Sequence, residues 1–164
     1  MPLNLDHVAA SADITDEEII RAFAALLSAM RSRGIVRTRN VVGDLGERYA
    51  IRAYAAHGKR TPLVLADTNS TDVDATDAAG RRFAVKAVSP GSTRTSAFHF
   101  AADETAAVFD YLIVVRVDDF MQPISVLEFT WAQFWRLKRW SDRQKAWFLP
   151  LTRAVISEAE VIAA

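Results

Sequence analysis

The chain has 164 residues, 51% of them apolar, enough for one domain with a sizeable core. Its 20 basic and 20 acidic residues cancel, so no global field draws it to nucleic acid. Cysteine is absent, which excludes a disulfide framework, a thiolate nucleophile and a Cys-based zinc site. No run of about 18 apolar residues is present, so no ordinary membrane span is expected. MPLNLDHVAASADITDEE carries neither a basic n-region nor an apolar h-region, so a cytoplasmic protein without a secretory signal is expected.

Residues 1–13 read as a loose lead-in. Thr15 and Glu18 then have capping-box spacing. Ile19, Ile20, Phe23, Leu26, Leu27 and Met30 follow with helical period, which predicts a helix ending near Gly34. A second helix is expected after Asn40, running VVGDLGERYAIRAYAAHG to a stop at Gly58. Its buried stripe would be Leu45, Tyr49, Ala53 and Ala56. LVLAD (63–67), TDVDA (71–75), RFAVKAV (82–88), DYLIVVRV (110–117) and ISVLEF (124–129) have the length and composition of strands. A further short strand is expected at SAFHF. From Thr130 the helical signal returns in TWAQFWRLKRW, in a second capping pattern at Ser141 and Gln144, and in LTRAVISEAEVI. The whole reads as one domain, α/β (α+β), with a central sheet between helices and a C-terminal helical extension over 137–164.

The chemistry concentrates between Thr68 and Val88. Gly80 is the natural left-handed residue of a hairpin loop formed by Ala78, Ala79 and Gly80. That register pairs Asp77 with Arg81, Asp74 with Ala84 and Asp72 with Lys86. Alternation then gives one apolar face, with Val73, Ala75, Phe83, Val85 and Ala87. The other face carries Asp72, Asp74, Thr76, Ala84, Lys86 and Val88. On a solvated sheet, Lys86 would form only a cross-strand ion pair worth under about 1 kcal/mol. A calcium loop at DTNSTD fails, because Asp72 stands where glycine is needed and Ala78 where glutamate is needed. Beside the solvated ion pair there stands a metal-dependent phosphodiester site, in which carboxylates hold a hard divalent ion and an ammonium offsets phosphoryl charge.

GDLGERYAIRAYAAHG, a strand, DVDA, a turn and FAVKAV together resemble the PD-(D/E)XK superfamily, the restriction-endonuclease-like fold that includes Holliday-junction resolvases. The resemblance spans roughly residues 42–136. It implies a restriction-endonuclease-like core, a central mixed sheet of four to five strands flanked by helices. It also implies a Mg²⁺- or Mn²⁺-dependent endonuclease acting on DNA. Within it, GERYA supplies Glu47, VDA supplies Asp74 and AVK supplies Lys86. Asp74 and Glu47 would bind the metal, with Asp72 and the carbonyl of Val85 in support, and Lys86 would act on the attacking water or the phosphoryl charge. Ala84 departs from the pattern, which usually has an acid two residues before the lysine. Arg81, Arg82, Ser89 and Arg94 are candidate nucleic-acid contacts. Many nucleases of this fold are homodimers, although no feature of the sequence marks an interface. The runner-up is a catalytically inactive nuclease-fold module that binds DNA or a protein partner. A third reading is an α+β domain with solvated hairpin charges. Trp131, Trp135, Trp140 and Trp147 are interleaved with Arg136, Lys138, Arg139, Arg143 and Lys145. Phe134, Leu137 and Trp131 have core spacing with basic stems along the surface, the alternative being a tail that stacks bases or seats a partner chain.

Overall fold

The computed structural model describes residues 14–67, 70, 72–100, 103 and 105–164. The lead-in expected over 1–13, and Thr68, Asn69 and Thr71 of the acidic loop, lie outside the described residues. The chain divides into two compact units, Met1–Arg37 and Thr38–Ala164.

The first unit carries α1 (Asp16–Ser32), opened by the predicted capping box of Thr15 and Glu18. Its apolar residues recur with helical period, yet no residue of the helix is buried. Ile19 is 46% exposed, Ile20 66%, Phe23 62% and Leu26 43%. Periodicity marks the helix and its face, but it does not say what covers that face.

The second unit begins with α2 (Val41–Ala56), whose N-cap Asn40 accepts a hydrogen bond from the Gly43 amide. There follow β1 (Leu63–Leu65), β2 (Ala75–Asp77), β3 (Arg82–Val88), β4 (Tyr111–Val117) and β5 (Pro123–Thr130). After them come α3 (Trp131–Leu137), β6 (Arg139–Ser141), β7 (Ala146–Phe148), α4 (Arg153–Ile156) and β8 (Glu160–Ala163). Six strands form one mixed sheet in the order β1-β2-β3-β4-β5-β8, and β6 pairs with β7. Within the sheet β3 and β4 are parallel and the other neighbours antiparallel. The sheet thus has one strand more than the four to five expected, and that strand is β8.

The sheet is covered on both faces. Ala84 and Val88 of β3 and Leu112 and Val114 of β4 belong to a cluster with Phe98, Phe109, Phe129 and Phe134. Phe83 and Val85, with Ile113 and Val115, belong to a second cluster with Ala50 and Tyr54 of α2. Four consecutive buried residues in β4, Leu112–Val115, are the sequence trace of that double burial. The wet face expected for Ala84, Lys86 and Val88 is therefore corrected: it is an aromatic core face.

Two further expectations change. The buried residues of α2 are Asp44, Gly46, Ala50 and Tyr54, one step from the stripe expected at Leu45, Tyr49, Ala53 and Ala56. The cause is close packing: a Cβ on Gly46 would lie 2.6 Å from the Ala87 Cβ, so the small residues face the sheet. The helical extension expected over 137–164 is instead a hairpin, one helical turn and a strand. Ser141 does accept a hydrogen bond from the Gln144 amide, at 3.3 Å, but it caps a hairpin turn in which Lys145 has φ 49°. EVIA, rich in β-branched residues, adds an edge strand to β5. SAFHF makes one isolated bridge, Phe98 to Trp147, instead of a strand.

Candidate functional site

The β2–β3 hairpin turns at Gly80, φ 76°, and pairs Ala75 with Phe83 and Thr76 with Arg82. This is the register offset expected from the sequence, held over a shorter ladder. Past Ala75 the ladder stops. Asp74 donates its amide to the Phe83 carbonyl at 2.8 Å and accepts the Val85 amide on its own carboxylate at 2.7 Å. Asp72, at φ 60°, turns the chain away, so it is not held opposite Lys86 by the ladder. The far half of β3 consequently has no partner strand on its β2 side among the described residues. In a strand the N–H and C=O of one residue point to the same side, so the Val85 carbonyl faces that open edge.

A cleft of about 430 Å³ lies along this edge. Asn40, the N-cap of α2, lines one side with Gly43 and Glu47 of the helix, and Asp74, Val85 and Lys86 line the other. Ser89 and Ser96 come from the loop after β3. The N-terminus of α2 opens here with its Gly43 amide capped by Asn40, and the helix dipole at this end favours an anion. Lys86 is half-buried, with its ammonium 4.8 Å from the centroid of the Phe98 ring. It has no ion-pair partner among the described residues. Glu47, Asp74 and Lys86 thus share one cleft. Gly43, which no motif singled out, joins them because it sits in the first turn of α2, one turn before Glu47.

Other candidates sit elsewhere. Arg81 donates to Asp77 at 2.6 Å and lies over the Tyr111 ring. Arg82 forms a forked pair with Asp110 at 3.0 and 3.3 Å. Hydrogen bonds from Arg82 hold the Asp110 carboxyl below its ordinary range, against the opposing effect of burial. At Asp77 burial pushes the carboxyl up, but bonds from Arg81 outweigh it and the net shift is downward. Arg94 stacks on Phe148, 4.6 Å from its centroid. Neither Asp72 nor these three arginines line the cleft. The basic aromatic tail is partly self-satisfied: Lys138 lies between Trp135 and Trp147, 3.3 and 4.2 Å from their centroids, and Arg136 pairs with Glu158.

No known protein family matches this chain, and no curated protein matches it. The fit of a metal therefore turns on the donors present. Among the described residues there is no group of three or more His, Cys, Asp or Glu side chains that could hold an ion. Ala84, where the resemblance leads one to expect an acid, is 1% exposed within the aromatic cluster. Two carboxylates and a backbone carbonyl remain. That set suits Mg²⁺, which commonly binds through one or two carboxylates and takes waters and substrate phosphate for the rest.

Proposed function

We propose that the chain has a restriction-endonuclease-like core and is a divalent-metal-dependent nuclease acting on DNA phosphodiester bonds. The observation that carries this reading is the sharing of one cleft by Glu47 and Asp74, Lys86 and the N-terminus of α2. A phosphodiester needs both signs of charge around it: anionic donors for a cation, and positive groups for the phosphate itself. Glu47 and Asp74, with the Val85 carbonyl, would hold Mg²⁺ or Mn²⁺. The bound metal supplies Lewis acidity and a water of lowered pKa. The α2 N-terminus and the Ser89 and Ser96 hydroxyls grip phosphate oxygens and fix the strand. Lys86, supported by Phe98, keeps a positive charge where negative charge builds on the phosphoryl oxygens during attack. Such a pre-positioned charge lowers the barrier more than it strengthens ground-state binding.

The burial of Ala84 favours a second reading, a nuclease-fold module that binds DNA or a protein partner without cutting. One experiment separates the two. Plasmid, linear duplex and branched DNA are incubated with the protein, Lys86→Ala and Glu47→Gln in Mg²⁺ or Mn²⁺. The expected result is cutting by the parent alone, with binding retained by the variants. Cutting by parent and Lys86→Ala alike, or by neither, rejects the catalytic assignment, and binding without cutting selects the second reading.

A further inference from the structure

Independently of the cleft, we infer that α1 is the dimerisation helix of this protein, pairing antiparallel with α1 of a second copy. Ile19, Phe23, Leu26 and Met30 are spaced four, three and four residues apart, the seam of a two-stranded coiled coil, with Ile20 and Leu27 beside it. Phe23, Leu26, Ile19 and Ile20 are all exposed, while Leu27 and Met30 are half-buried. An apolar stripe of this size on a capped 17-residue helix is an interaction surface.

The charges choose the occupant and the direction. Asp16, Glu17 and Glu18 fill the first turn, Arg31 lies in the last, and Arg33 is the C-cap residue. A parallel copy would set acid against acid and arginine against arginine. In the antiparallel register that puts Phe23 against Leu26 of the second copy, Ile19 meets Met30. Glu18 then lies beside Arg31, and Asp16 beside Arg33. Apolar seam and charged ends are satisfied in the same register, and each end is complementary to the other end of an identical helix. Such a two-fold pairing uses the same patch on both subunits.

Sedimentation equilibrium of the full chain across the micromolar range tests this. The expected mass is twice 18.2 kDa, and Phe23→Glu is expected to yield monomer with unchanged helix content by circular dichroism. Arg33→Glu is expected to weaken the dimer several-fold. Adding Asp16→Lys, its partner in this register, which leaves the capping Glu18 intact, is expected to restore it. A monomeric parent at every concentration, a dimer that survives Phe23→Glu, or a dimer indifferent to the charge reversals overturns the inference.

Discussion

Lys86 stands between Ala84 and Val88 on a strand face that is otherwise apolar and aromatic. Burying its stem there while its ammonium rests near Phe98 makes the position structural as well as chemical. Lys86→Met separates the two roles, because the thioether replaces the stem and removes only the charge. Stability by urea denaturation is expected to change by about 1 kcal/mol or less, the worth of an exposed cation–π contact. DNA cleavage is expected to fall about 10²–10³-fold, as for the loss of one transition-state donor. Ala84 tests the neighbouring question of why no acid stands two residues before Lys86. Its methyl group is enclosed by the core cluster, so Ala84→Glu would place a carboxylate among aromatic rings and away from the cleft. A destabilisation of about 3–5 kcal/mol is expected, with no gain in cleavage. Enhanced cleavage by a stably folded Ala84→Glu protein would show instead that this position reaches the proposed metal site.

At the scale of elements, the hairpin register could be read from the sequence because three local signals agree. Gly80 fixes the turn, Asp77 and Arg81 flank it as an ion pair, and RFAVKAV has the length and composition of a strand. Its length could not be read, since the break depends on the Asp74 carboxylate capturing the Val85 amide, a contact with no signature in spacing. Nor could the faces: Ala84 and Val88 look half-polar beside Lys86 until Phe98 and Phe109, from the segment between β3 and β4, fold back against them. Glu47, Asp74 and Lys86 were nameable from motif order, whereas Gly43 enters only through the fold. The C-terminal segment misled because Ser-x-x-Gln caps hairpin turns as well as helices. Helix α2 offers a direct test of how position is transmitted to the cleft. Gly46→Ala would push a methyl group to 2.6 Å from Ala87, which lines the cleft beside Lys86. The expected cost is about 1–3 kcal/mol for overpacking, together with reduced cleavage as α2 and Glu47 shift. The arginine pairs at the hairpin carry a pH signature. Asp77 and Asp110 titrate below their ordinary range, so they stabilise the fold fully above about pH 4 and lose this contribution as pH falls through the lowered values. Thermal unfolding is expected to drop between neutral pH and pH 3, and less steeply in Asp77→Asn.

Across the whole second unit, one polar network joins elements far apart in sequence. Glu128 of β5 is 4% exposed, yet it accepts hydrogen bonds from the Tyr54 hydroxyl of α2 and from Arg60, the latter at 2.8 Å. Arg60 also pairs with Glu160 of β8, which fastens the last strand to the sheet's β5 edge and to the turn after α2. Burial and the nearby Glu128 carboxylate hold the Tyr54 phenol well above its ordinary range, so it remains a donor wherever the protein is folded. A buried carboxylate is tolerable only with such partners, and the order of loss can be argued from what each substitution leaves behind. Tyr54→Phe removes one donor while Arg60 still neutralises the charge, so a loss of about 1–3 kcal/mol is expected. Arg60→Ala strands the charge itself in the sheet and also frees Glu160, so about 3–5 kcal/mol is expected. Combining Arg60→Ala with Glu128→Gln removes the stranded charge and should recover much of that loss, because the amide oxygen still accepts from Tyr54. Urea denaturation of the three proteins checks the order, and a double variant no more stable than Arg60→Ala would mean that Arg60 acts through β8 rather than through Glu128.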